Sequence, residues 1–167
     1  MALARPDLEK GPLLSSAEAV PHDLIELLFF AYRDFVGDPD RILADYGFGR
    51  AHHRVLHFVQ RRQGLTIAEL LDILQITKQS LNRVLKELVE KGYIEQRTGR
   101  LDKRQRHLHT TAAGQDLALR LVRLQAERIN KALASVGPEA AATAAQYLSA
   151  LIDASERPKV ERLLNGS

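Results

Sequence analysis

The chain has 167 residues, 45% of them hydrophobic and 27% charged, enough for one packed domain with extensions and ordinary for a globular protein. It contains no Cys and no Trp, which excludes disulfides, thiolate-bound zinc and thiol nucleophiles and argues against an aromatic sugar-binding groove. Its net charge of +3 is too small by itself to assign a polyanionic partner, so the distribution of charge has to carry that question.

In chain order, residues 1–18 mix Pro6, Gly11, Pro12, Ser15 and Ser16 and are expected to form a disordered tail. Met1 to Lys10 carries Arg5, Asp7, Glu9 and Lys10 without the apolar run of a secretion signal. No apolar stretch approaches the roughly 18 residues of a membrane span, so no membrane contact and a cytoplasmic location are expected. Leu24 to Val36 is a dense apolar block, expected to be a helix that ends at Gly37-Asp38-Pro39. It is apolar nearly all round and must be covered on more than one side; a second subunit is the expected cover. An Asp- and Gly-rich loop from Asp38 to Gly49 leads to a helix over Arg50 to Arg62, closed by Gly64.

Thr66-Ile67-Ala68-Glu69 is a capping-box pattern that starts a short helix to about Leu74. Gln75 and Ile76 make a turn, Thr77 N-caps a helix through Lys91, and Gly92 stops it. The period then changes: Tyr93 to Arg97 and Arg106 to Thr110 read as strands around a charged turn, Thr98 to Lys103. Thr111 caps a long amphipathic helix through about Ser135, with Leu117, Leu121, Leu124 and Ile129 on its apolar face. Gly137-Pro138 breaks it, an Ala-rich helix runs from Pro138 to about Ser155, and Pro158 sets off a short segment with Leu163 and Leu164.

The central order is helix, turn, helix and two-stranded wing. In the Thr77 to Lys91 helix, Leu81, Val84, Leu85, Leu88 and Val89 form the expected buried stripe. The opposite face holds Thr77, Lys78, Gln79, Ser80, Asn82, Arg83 and Lys86. Gln and Asn can pair bidentately with adenine and Arg with guanine, and the first turns of such a helix enter the major groove. From Lys78 to Arg106 nine basic residues face four acids, so this segment is +5 and the rest of the chain −2. That local excess suits a surface facing phosphates.

The run LTIAELLDILQITKQSLNRVLKELVEKGYIEQR, followed by Asp102-Lys103-Arg104 and by Leu108 through Thr111-Ala112-Ala113-Gly114, resembles the MarR family of bacterial transcriptional regulators. Further upstream, ELLFFAYRDF and DPDRILADYGFGRAHHRVLHFV resemble its PetP-type branch, with the LdtR-like regulators. The resemblance implies a mainly α (α+β) fold: a winged helix-turn-helix DNA-binding domain flanked by N- and C-terminal dimerisation helices. On that plan 1–18 is the tail, 19–49 the N-terminal dimerisation helix and loop, 50–111 the DNA-binding lobe and 112–167 the C-terminal dimerisation helices. In the family a wing carboxylate braces an arginine that reaches the minor groove, which gives those roles to Asp102 and Arg104, with Arg100 and Lys103 nearby as phosphate or minor-groove contacts. Two departures stand out: Lys103 replaces an Arg and Thr110 a Leu in the wing pattern, and Gln75 occupies the position of the usual turn glycine.

The implied function is a homodimeric regulator, expected to repress, on a pseudo-palindromic site in double-stranded DNA. Many relatives answer to a small aromatic or anionic effector; Phe30, Tyr32, Arg33, Phe48, His52, His53 and Arg54 are the residues placed to line such a crevice. His52-His53-x-x-x-His57 invites a metal reading, but zinc wants four ligands and only Asp45 lies close upstream, so packing or hydrogen bonding is the expected role and no metal or cofactor is expected. Peroxide sensing through a family cysteine is closed to this chain. A winged-helix protein-interaction module without DNA binding is the alternative. An enzyme is not expected, because no Gly-rich phosphate loop, Gly-x-Ser-x-Gly elbow or convincing acid–His pair is present.

Overall fold

A computed structural model of the chain describes residues 22–99 and 105–166; the expected tail over 1–18 lies outside them. The elements are α1 (His22–Asp45), α2 (Arg50–Arg61), β1 (Leu65–Thr66), α3 (Ile67–Leu74), α4 (Lys78–Glu90), β2 (Ile94–Thr98), β3 (Arg106–Thr110), α5 (Ala112–Val136), α6 (Ala140–Leu151) and α7 (Arg157–Asn165). No helix among the described residues is long and apolar enough to cross a membrane.

The first helix departs from expectation. It does not end at Gly37-Asp38-Pro39 but runs on to Asp45, so the expected loop shrinks to Tyr46–Gly49. Proline inside a helix forfeits one backbone bond. Here tertiary contacts offset it: Val36, Pro39 and Leu43 form a buried stripe on the lobe. Asp38 pairs with Arg128 of α5 at 2.7 Å and with Arg41, and Asp40 pairs with Arg50 of α2 at 2.8 Å.

The short helices follow their caps. Thr66 Oγ1 accepts the Glu69 N–H while the Glu69 carboxylate accepts the Thr66 N–H, closing the capping box of α3. Gln75 takes the left-handed conformation (φ 51°, ψ 44°), supplying without glycine the turn that separates α3 from α4. Asparagine, aspartate and glycine enter this region most easily, and the Gln75 amide donates back to the Asp72 carbonyl at 2.7 Å. Thr77 caps α4 through the Ser80 N–H, and Gly92 (φ +76°) lets the chain reverse so that the Tyr93 N–H reaches the Leu88 carbonyl.

The wing is part of a three-stranded antiparallel sheet of order β1-β3-β2, one strand more than expected. The two-residue β1 pairs Leu65 with Leu108, and β2 pairs Ile94 with Thr110 and Gln96 with Leu108. Leu65, Ile94 and Leu108 therefore share the buried face and join Leu43, Val55, Leu56, Leu70, Leu81, Leu88, Leu117 and Leu121 in one core. Val89, expected in the stripe, is 36% exposed; eight residues on from Leu81 it lies about 80° round the helix, past the edge of the contact. Ile129 is likewise exposed, because α5 has by then left the lobe. The Ala-rich helix spans only Ala140–Leu151 and buries nothing within the chain.

Gly114 shows how tightly α5 is seated. A Cβ there would overlap the Tyr93 carbonyl oxygen and come within 3.3 Å of Thr110 Cβ. Backbone cannot step aside as a side chain can, so Gly114→Ala is expected to lower the unfolding free energy by about 3 kcal/mol. The check is a urea midpoint that falls with the denaturant slope unchanged.

Candidate nucleic-acid interface and adjoining cavity

Burial on one side of α4 decides what its other side presents. Leu81, Val84, Leu85 and Leu88 are buried, and Lys78, Gln79, Ser80, Asn82, Arg83 and Lys86 are all exposed. The N-cap Thr77 is exposed as well, with its hydroxyl on Ser80 Oγ at 2.9 Å. Lys86 has only a long, largely exposed pairing with Glu90 at 3.7 Å, which surface exposure makes weak. The row therefore presents two amides, two hydroxyls and three cations to solvent. The wing residues Arg100, Asp102, Lys103 and Arg104 lie outside the described residues. On the described part of the wing, Arg97 pairs with Glu95, and Arg106 donates to Thr98 Oγ1.

The far end of α4 is bound to the segment before α2. Tyr46 and Phe48 meet Tyr93 edge-on at 5.9 and 5.2 Å. Lys91 donates to the Tyr46 carbonyl at 2.7 Å and lies 4.7 Å above the Phe48 ring. His52 stacks on Phe48 at 4.7 Å and bonds Glu87 of α4 at 2.9 Å.

On the other side of α2, a cavity of about 240 Å³ opens between Tyr32, Phe35 and Val36 of α1, Arg50, His53, Arg54, His57 and Phe58 of α2, and Gln125 of α5. Of the seven residues expected in a crevice, Tyr32, His53 and Arg54 meet here. Phe48 and His52 belong to the aromatic cluster instead. Phe30 and Arg33 sit outside on the exposed face of α1, where the Arg33 guanidinium lies 5.0 Å over the Phe30 ring and pairs with Asp34. Phe35, Val36, Arg50, His57, Phe58 and Gln125 line the cavity without having been anticipated. The α2 members were legible as a stripe at positions 50, 53, 54, 57 and 58, the spacing of one helical face.

His53 is only 8% exposed. Burial lowers its pKa, helped by nearby His57 and opposed by Asp40, and burial lowers that of His57 with Arg61 and Arg62 adding to the effect. Among the described residues no group of three or more His, Asp or Glu could hold a metal ion. The fold thus favours the neutral form of both rings, while the unfolded chain takes up protons below its ordinary histidine value near 6.5. Stability is thus fully present above about pH 6.5 and falls as acid takes the pH through the lowered folded values. Thermal unfolding between pH 5 and 8 should show this decline, and His53→Gln with His57→Gln should flatten it.

The MarR family model matches residues 46–105, from the segment before α2 into the wing. The chain is 48% identical over 139 residues to the HTH-type transcriptional regulator PetP of Rhodobacter capsulatus, an alignment that covers 83% of this chain and 84% of that one. Among solved structures, FabT of Streptococcus pneumoniae, in complex with DNA, superposes with a TM-score of 0.70 at 20% identity, covering 78% of this chain and 93% of FabT. A MarR protein of Peptoclostridium difficile gives 0.69 at 15% identity, covering 88% of this chain and 97% of the other. At those identities the structures speak for the winged-helix fold, and the PetP alignment speaks for the family. The chain belongs to the MarR family and is a transcriptional regulator of that type, not an enzyme.

Proposed function

We propose that the protein is a homodimer that reads a pseudo-palindromic site on double-stranded DNA and represses the genes beside it. A small aromatic or anionic molecule in the α1–α2 cavity would modulate that binding. The observation that carries the reading is the row Lys78, Gln79, Ser80, Asn82, Arg83 and Lys86, all exposed on a helix whose opposite face is committed to the core. Those at the helix start are the donors and acceptors that base edges require, and the cations supply affinity for phosphate. The FabT relative, whose fold this chain shares, is in complex with DNA. The resemblance extends the interface to Arg100, Asp102, Lys103 and Arg104 of the wing, and it implies repression as the mode of action.

Dimerisation is supported by what the single chain leaves uncovered. Ile25, Leu27, Leu28, Phe29, Phe30 and Tyr32 on α1 are exposed, Phe29 by 68%. Tyr147, Leu148 and Leu151 on α6 and Val136 at the end of α5 are exposed too. So large an apolar surface marks an interface, and two-fold symmetry would set two α4 helices on half-sites about 10 bp apart. The cavity supports the effector reading through its chemistry: aromatic and aliphatic walls with Arg50 and Arg54 at hand for an anion.

Anisotropy titrations against DNA selected from genomic fragments test the reading. Affinity should fall steeply with salt. Arg83→Ala should reduce selective binding by about 1–3 kcal/mol, whereas Lys86→Ala should weaken all sequences alike and lower the salt slope by about one. Binding indifferent to salt and to Arg83→Ala combined with Arg104→Ala would sink the DNA reading and favour a protein-docking module. Sedimentation should give twice the chain mass, and Phe29→Asp with Leu151→Asp should yield monomers whose DNA affinity is more than about tenfold weaker, because each half-site is then bound alone.

A further inference from the structure

Helix α2 divides the cluster His52-His53-x-x-x-His57 between two places. His53 and His57 wall the cavity, while His52 faces α4. The Gly49 N–H donates to His52 Nδ1 at 3.1 Å. A ring nitrogen that accepts carries no proton, so the neutral ring holds its proton on Nε2. That Nε2–H donates to Glu87 Oε2 at 2.9 Å. The His52 side chain is only 12% exposed and lies flat on Phe48, so the ring has little freedom to turn. Glu87 sits one turn beyond Arg83 on α4. Among the described residues this is the one side-chain hydrogen bond between α2 and α4; their other contacts are apolar and non-directional.

We propose that His52 is a positioning residue for DNA recognition, latching α4 through Glu87 so that the Lys78–Lys86 row is held at a fixed rotation. The inference rests on the DNA reading above, but the latch itself is a property of the free protein.

The two halves of the imidazole can be separated. Asparagine at 52 keeps an acceptor where Nδ1 lies but cannot reach Glu87; glutamine keeps an N–H where Nε2 lies but offers Gly49 nothing. His52→Asn should therefore weaken selective DNA binding about fivefold with non-selective binding unchanged, and His52→Gln should stay within about twofold of the parent. In a Glu87→Ala background His52→Asn should change affinity by less than about twofold, since the contact is already gone. Amide hydrogen exchange of the DNA-free protein gives an independent reading: His52→Asn should speed exchange in the last turns of α4 and spare Gly49, and His52→Gln should do the reverse. A His52→Asn protein identical to the parent in both measurements, a His52→Gln protein as weak as His52→Asn, or an undiminished effect in the Glu87→Ala background would overturn the proposal. If the parent binds no DNA selectively, the function reading fails while the exchange pattern still decides the latch.

Discussion

At the Tyr93 carbonyl four elements are tied together, and the geometry of the lobe depends on that knot. The Thr111 N–H donates to this oxygen at 3.1 Å, and the Thr111 hydroxyl donates to the neighbouring Gly92 carbonyl at 2.6 Å. The same hydroxyl oxygen accepts the Gly114 N–H and so caps α5. Just upstream, the Tyr93 N–H closes the end of α4 on Leu88. One threonine thus joins the end of α4, the start of β2, the end of β3 and the first turn of α5. The contact is close enough that only glycine fits at 114, and the backbone groups it brings together satisfy one another. Because α5 runs 25 residues from this point and ends in exposed apolar residues such as Ile129 and Val136, its departure angle from the lobe is set here.

A second set of contacts acts at the start of α2. Its N-terminal segment leans on α4 through Phe48, His52 and Lys91, while its opposite face walls the cavity with Arg50, His53, Arg54 and His57. A helix packed on both sides moves as a body, since close-packed interiors transmit displacement in place of absorbing it. The cavity and α4 therefore share one wall. In the proposed regulator, an occupant that shifts α2 is felt at α4 only to the extent that it favours one arrangement over the other.

How much of this was legible in the sequence depends on the range of the interactions. The three caps, Thr66, Thr77 and Thr111, were readable because each acts within three residues of itself, and the α4 stripe because its period is local. The wing strands followed from alternation. The two-residue β1 was not readable, since only its pairing with Leu108 and His107 makes it a strand. Nor was the side of α2 that each histidine takes: neighbouring residues on a helix diverge by about 100°, and sequence alone does not say which side holds Glu87 and which the cavity. Arg50 and Gln125 lie far apart in the chain and reach the same cavity only through the packing of α2 and α5 on α1.

The continuation of α1 through Pro39 has the largest mechanical consequence. A break at Gly37 would have placed a hinge between the apolar segment around Phe29 and the lobe. Instead the helix is continuous, with Val36, Pro39 and Leu43 anchored in the lobe and Ile25 to Tyr32 projecting from it. The ion pairs of Asp38 with Arg128 and of Asp40 with Arg50 clamp the segment around the proline to both α5 and α2. In the proposed dimer the apolar half of α1 meets the partner, so the same rod that forms the interface also carries the lobe. The distance between two recognition helices is then governed by how the lobe sits on α1 and α5, not by bending of α1 itself. The cavity lies at that seat, between Tyr32, Phe35 and Val36 of the rod and the facing side of α2, where a small displacement has the longest lever arm.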